Sequence, residues 1–359
     1  MQPIRRSQFL ALASAAACAA FARGATAQSF PSRPIEIVVP VAPGGGTDIV
    51  ARAFADTARK YLPQPMVVLN RPGASGAIGM QEVLNARPDG YKVGLVYSDL
   101  AILPGLKRVR FSSDDFHMIA LLNADPGSVV VPVDSPWRSI EDMVAEAKRR
   151  PGTVKLSNSG PGSIWHMAAA AMEEKVGAQF LHVPFTGSAP GLAALMGRHV
   201  DAVTTSPGEA AAYVQGGQMR ILAVMAEKRD AGFPDVPTLK ERGFDVAVGV
   251  WRGLAVHRAT PEPVVAALTE VARRTAEDPA FRSALERASL TFTYADSEAF
   301  TALANRDRAV FGQLIDRLTT HQDMSGERAA ESARELFASV GIRNPGSRLA
   351  AYPHELSGG

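Results

Sequence analysis

The sequence is almost free of cysteine, with Cys18 alone among 359 residues. That count excludes a disulfide framework within the chain and a zinc site built from several cysteines. Aromatics make up only 7% of the residues, and the formal net charge is +2. Without a basic stripe interleaved with aromatics, no nucleic-acid partner is expected. The chain has no Gly-Lys dipeptide and so no Walker lysine, and it has neither a His-Glu-x-x-His nor a Gly-x-Ser-x-Gly run. No cofactor or metal site is expected. With 46% apolar and 21% charged residues, the composition is that of an ordinary globular protein, and the length allows about two domains.

The residues before Gln28 read as a leader rather than part of the fold. Arg5-Arg6 forms a positive start, Phe9 to Phe21 is an Ala-rich apolar stretch, and Ala25-Thr26-Ala27 is an A-x-A cleavage signal. The apolar stretch is too short for a membrane span. Cys18 lacks the preceding Leu of a lipoprotein signal, and Phe9-Leu10 stands one residue late for twin-arginine export. Cleavage after Ala27 is predicted, leaving a periplasmic chain without cysteine, which suits an oxidising compartment.

Downstream, strand-like and helical stretches alternate, which predicts an α/β protein with largely parallel sheets. Strands are expected at Ile35–Val39, Met66–Leu69, Lys92–Val96, Met118–Leu121, Val129–Val131, Lys155–Asn158, Leu181–Val183, Val200–Thr204, Arg220–Val224 and Val250–Val256. Helices are expected at Asp48–Tyr61, Gly76–Asn85, Ile140–Arg149, Ile164–Lys175, Ala189–Met196, Pro263–Thr275, Pro279–Arg287, Ser297–Leu303 and Arg306–Leu318. The run Pro43-Gly44-Gly45-Gly46-Thr47-Asp48 joins the first strand to the first helix. Such a turn presents backbone N–H groups at the positive end of a helix dipole, which favours an anion. Without the Walker lysine or dinucleotide glycine spacing, a carboxylate fits better than a phosphate. The theme recurs at Asn70–Gly76 and Ser157–Ser163. Three such N-termini can converge on one crevice at the strand ends, where open α/β sheets bind ligands. The plainer reading is that these Gly and Ser residues make turns and caps.

The runs Val39–Arg52 and Asn70–Gly76, then Gly160–Met167, His182–Pro190, Phe233–Thr238 and Trp251–Leu254, together resemble the Bug-type receptors. These are the extracytoplasmic solute-binding subunits of tripartite tricarboxylate transporters. The resemblance runs from about Pro31 to Leu318. It implies a type II periplasmic-binding-protein fold of two lobes, each a mostly parallel sheet flanked by helices, closing on a small carboxylate. It places lobe one at residues 28–126 plus 251–318 and lobe two at residues 127–250, with strands near Val129–Val131 and Val250–Val256 crossing between them as the hinge. It also implies a monomer that delivers its solute to membrane permease subunits. In the family the first strand–helix loop grips one carboxylate, partly through ordered water. Carried over, this assigns Gly45, Gly46, Thr47, Asp48 and Ser75 from lobe one to the ligand. From lobe two it assigns Ser159, Ser163, His166, Phe185, Thr186, Ser188, Thr205 and Ser206.

Thr47 and Ser163 can equally cap helices, and Asp48 is better suited to shaping the loop than to attracting an anion. His166 is left open between ligand contact and packing on Trp165; His182 and His199 read as structural. The loop after Val183 commonly reads Pro-Tyr-Lys-Gly in the family but is Pro184-Phe185-Thr186-Gly187 here, which removes a cation and points to a less charged or more apolar acid. Ala170 and Ala194 stand where acidic residues are usual, and Arg198 replaces a glycine. These differences bear on ligand identity, not fold. A ligand-sensing partner of a signalling receptor would use the same pocket. A hydrolase using Ser163 and His166 would lack a local acidic orienter. Beyond about His321, residues 335–359 resemble a fragment of a peptide-transporter ABC ATPase ending at Leu356-Ser357-Gly358-Gly359. Lacking a Walker lysine, this tail is expected to be inert as an ATPase, with one amphipathic helix near Ala329–Val340 and a loosely held end.

Overall fold

The computed structural model describes residues 30–321. The predicted leader and the ABC-like tail lie outside the described residues. No described helix is long and apolar enough to cross a membrane.

Strand β1 (Ile35–Val39) is a β-branched run with only Glu36 polar, the pattern of a strand covered on both faces. It lies between β2 (Met66–Asn70) and β3 (Lys92–Tyr97), parallel to both. Helix α1 (Gly46–Ala58) follows β1 and buries Val50, Ala51, Phe54 and Ala58, which recur at helical spacing. Phe54 packs edge-on against Phe281, with ring centroids 6.0 Å apart. Burying a side chain of that size contributes roughly 1.5–3 kcal/mol. The α1 start is therefore fixed to the sheet by a packed stripe below the glycine loop.

One long strand, β4 (Phe116–Pro132), runs through both halves of the molecule, and the chain returns to the first half at Val248-Gly249, where β9 (Gly249–His257) begins. β4 pairs antiparallel with β9 from Phe116 to Pro126. From Gly127 onward it pairs instead with β8 (Met219–Met225) and β7 (Ala202–Thr205). The change of partners falls at Pro126-Gly127, where the backbone is too close for side chains. A Cβ on Gly127 would lie 2.9 Å from the Val248 carbonyl oxygen, and one on Gly249 would lie 2.6 Å from that of Asp125. Met118–Leu121 and Val129–Val131, expected as separate strands, belong to this one element.

The first sheet runs β2-β1-β3-β9-β4, with β10 (Phe292–Ala295) on the far side of β4; the second adds β7, β5 (Lys155–Asn158) and β6 (Leu181–Pro184), with β8 also on β4. Pairing is parallel within β2-β1-β3 and within β7-β5-β6. It is antiparallel wherever β4 or β9 takes part. The other helices are α2 (Ala77–Asn85), the short α3 (Asp99–Ile102), α4 (Ile140–Arg149), α5 (Ile164–Val176) and α6 (Ser188–Met196). They continue with α7 (Pro207–Gln215), α8 (Glu262–Glu277), α9 (Pro279–Arg287) and α10 (Ser297–His321). The last is one continuous helix where two are expected, and α7 is absent from the helices expected of the sequence.

Candidate functional site

The strand–helix loops of both sheets meet in one crevice, and the lobes touch there through hydrogen bonds. Gly46 N–H donates to Glu209 Oε1 at 2.9 Å, and Ile164 N–H donates to Asp99 Oδ1 at 2.7 Å. Ser75 Oγ donates to the Pro161 carbonyl at 2.8 Å, and Ala42 N–H to that of Thr186 at 3.3 Å. Each lobe thus supplies a buried carboxyl group to the first turn of a helix on the other, Glu209 to α1 in one direction and Asp99 to α5 in the reverse. Both contacts use free N–H groups at a positive helix end.

Sheet register builds the network around Glu209. Asn123 lies opposite Arg252 across the β4–β9 ladder, with register shifts on its N-terminal side. Alternation along β4 puts Asp125 on the same face as Asn123. Arg252, 1% exposed, donates to Asn123 Oδ1 at 2.5 Å, Asp125 Oδ2 at 2.7 Å, Thr47 Oγ1 at 3.0 Å and Glu209 Oε1 at 3.2 Å. Asp125 also accepts from Asn123 Nδ2 at 3.1 Å and Thr291 N–H at 2.8 Å. Glu209 Oε2 accepts from the hydroxyls of Ser188 at 2.9 Å, Thr205 at 2.6 Å and Ser206 at 3.3 Å, and from Ser206 N–H at 3.2 Å. Burial pushes the Glu209 carboxyl up, but Arg252 and these donors outweigh it and hold it below its usual range. One guanidinium therefore neutralises only one of two buried acids.

The residues expected at the ligand fall into distinct positions. Gly46, Thr47, Ser188, Thr205 and Ser206 come together around Glu209 and Arg252, while Gly45 is buried as the N-cap of α1. Asp48 shapes the loop: it accepts from Gly44 N–H, Arg52 and Asn70, each at 2.9 Å. Burial acts to raise its pKa, but these donors lower it on balance. Ser75 and the half-buried Ser159 lie at the mouth of α5, Ser75 in a left-handed conformation with φ 52°. Phe185 and Thr186 lie in the loop that crosses to Ala42.

Ser163 caps α5, its Oγ accepting the backbone N–H of His166 at 3.2 Å. The His166 ring takes Gly162 N–H on Nδ1 at 3.0 Å and stands edge-on to His182, centroids 5.0 Å apart, so it packs on His182. Burial, with His182 and Arg108 nearby, lowers its pKa to about 3 and keeps it neutral. Ser163 Oγ and the His166 ring thus serve separate structural bonds rather than a nucleophile–base pair.

Glu209, Arg252, Asp125, Asn123 and Asp99 do not stand out in the sequence as site residues. Ser206-Pro207-Gly208-Glu209 does carry a signal, a capping box with Pro at the first helical position, but it reads as a helix start rather than a site. Two cavities, of about 580 and 710 Å³, open elsewhere, behind the hinge against α5 and α10 and beside α2. The hydrogen-bond donors converge instead in the crevice between the lobes.

A pair of α/β lobes joined through the long strand β4 and the chain return before β9, with helix N-termini facing a shared cleft, defines a periplasmic-binding-protein fold. The chain belongs to the family described as "Tripartite tricarboxylate transporter family receptor", which it matches over residues 50–320. It is 34% identical to the "UPF0065 protein in gbd 5'region" of Cupriavidus necator, over 87% of this chain and 96% of that protein. A TctC solute binding protein from Polaromonas superposes with a TM-score of 0.61 at 45% identity, covering 80% of this chain and 100% of that one. MatC from Rhodopseudomonas palustris, solved with bound malate, gives 0.75 at 26% identity, covering 80% and 100%. A separate match of 47 residues, 51% identical, is to the "Peptidoglycan transport ATP-binding protein YejF" of Agrobacterium fabrum and covers 9% of that protein. The family and its structural neighbours are solute-binding receptors rather than enzymes.

Proposed function

We propose that the protein is a periplasmic receptor that captures a small carboxylate between its lobes and delivers it to tripartite-type membrane permease subunits. The observation that carries this reading is the donor set around Glu209: the crevice already coordinates a carboxylate with a helix N-terminal N–H, a guanidinium and hydroxyls. Charge-assisted bonds of this kind are the strong ones. The malate in MatC supports the same ligand chemistry. The change of strand partners at Pro126-Gly127 supports a lobe boundary there, with closure about β4 and the chain return before β9 burying the solute and presenting a surface to the permease.

Thr47 gives the sharpest single test. Its hydroxyl is the only described partner of Arg252 Nε, at 3.0 Å. Thr47→Ala leaves that donor buried and unpaired, at a cost of about 1–3 kcal/mol. In calorimetric titrations with acetate, malate, citrate, benzoate and glutamate, one class of acid is expected to bind wild type. The variant should bind that class on the order of tenfold more weakly. Equal affinity in the two proteins would remove the α1 start from the binding site.

A further inference from the structure

The two oxygens of Glu209 serve different lobes. Oε1 accepts only from lobe-one groups, Gly46 N–H at 2.9 Å and Arg252 Nη2 at 3.2 Å. Oε2 accepts only from lobe-two groups, Ser188, Thr205 and Ser206. Separating the lobes would break the first pair and leave the second intact, so Glu209 would travel with α7 in a fixed pose. Arg252 would keep Asp125 at 2.7 Å and Asn123, and would not be stranded. What opening uncovers on lobe one is an N–H at a helix start beside a guanidinium edge, a receptor for one carboxylate.

We propose that Glu209 is an internal ligand of lobe one, latching the lobes together, and that a solute carboxylate binds α1 and Arg252 by taking its place. This rests on the carboxylate reading of the cleft. Charge makes the occupancy exclusive. Asp125 and Glu209 already outnumber Arg252, and a third carboxylate within hydrogen-bond reach would add a like charge to a buried cluster. Solute binding therefore draws on the fraction of molecules whose latch is open, and the latch weakens apparent affinity in proportion. Glu209 also closes the capping box of α7 with Ser206, a role that glutamine can fill. Glu209→Gln is thus the conservative variant, and Glu209→Ala removes the latch outright.

The test is solution X-ray scattering on the full chain, refolded from denaturant in carboxylate-free buffer, paired with titrations of malate, citrate, benzoate and glutamate. Wild type should scatter as the closed arrangement. Both variants should show a larger radius of gyration, alanine more than glutamine. They should also bind the acid that wild type binds more tightly, on the order of tenfold. Variants that scatter like wild type would overturn the latch. So would variants that bind the acid more weakly, because Glu209 would then be a solute contact. Scattering needs no solute, so it shows whether the latch holds even in a protein that takes none of these acids. Failure of the latch and failure of the carboxylate reading are thereby distinguished.

Discussion

Arg252→Ala is expected to lower stability by about 3–5 kcal/mol, the range seen when one partner of a buried ion pair is removed. The side chain is 1% exposed and stands between Asp125 and Glu209, whose side chains are 2% and 4% exposed. Truncation leaves two acids in the interior with no cation between them. It also leaves Asn123 and Thr47 without the donor they face. At roughly 2–4 °C per kcal/mol for a chain of this size class, the melting temperature should fall on the order of 10 °C. The deficit should shrink as the pH is lowered, because protonation relieves the uncompensated carboxylates. Adding Glu209→Gln should recover part of the loss by removing one of the two charges. Urea unfolding of the three proteins checks this. A change of under about 1 kcal/mol for Arg252→Ala would mean that the cluster does not hold the lobes as described.

The second large effect is a pH dependence set by Asp99. Its side chain is fully buried, with Oδ1 on Ile164 N–H and Oδ2 without a partner among the described residues. Burial pushes the carboxyl up to about 8, against the opposing pull of the Ile164 N–H and Tyr97. Between the ordinary carboxylate range and that value the folded protein holds a proton that the unfolded chain has released. Stability therefore falls as pH rises, by up to about 1.4 kcal/mol per pH unit, and levels off above the folded value. From about pH 5 to 7 wild type should lose on the order of 3 kcal/mol through this group. Asp99→Asn keeps the acceptor for Ile164 and cannot ionise, so its stability should lack that slope and exceed wild type near neutral pH. Parallel slopes in the two proteins would show that Asp99 is ionised in the fold.

The parts of this structure legible in the sequence are those fixed by neighbours in the chain. The β-branched run of β1, the glycine loop after it and the amphipathic stripe of α1 each follow from local sequence, and Ile140–Arg149 and Pro279–Arg287 match the expected helices residue for residue. In sequence β4 reads as two strands because Asn123-Ala124-Asp125-Pro126-Gly127 has the composition of a turn. In the fold those residues are where the strand trades one sheet for the other. α7 is masked because Pro207 and Gly208 suggest a break, although Pro at the first helical position starts a helix. The residues closing the cleft are hidden for another reason. Glu209 meets Gly46 across 163 positions, Arg252 meets Thr47 across 205, and Asp99 meets Ile164 across 65. No periodicity or spacing encodes such pairs. An arginine inside the apolar run Val250–Val256 is visible as an oddity, but its partners are not.

The most direct measurement is a thermal-shift comparison of acids with their matched primary amides, using the refolded full chain with malate, citrate, benzoate and glutamate. At about a hundred times its dissociation constant a ligand adds roughly 2.7 kcal/mol, enough to raise the melting temperature by several degrees. At least one acid should give that shift and its amide should not, because the amide lacks the charge that the proposed site at Gly46 N–H and Arg252, which now hold the Glu209 carboxylate, would receive. Equal shifts with acid and amide, or none with any acid, would contradict a carboxylate receptor.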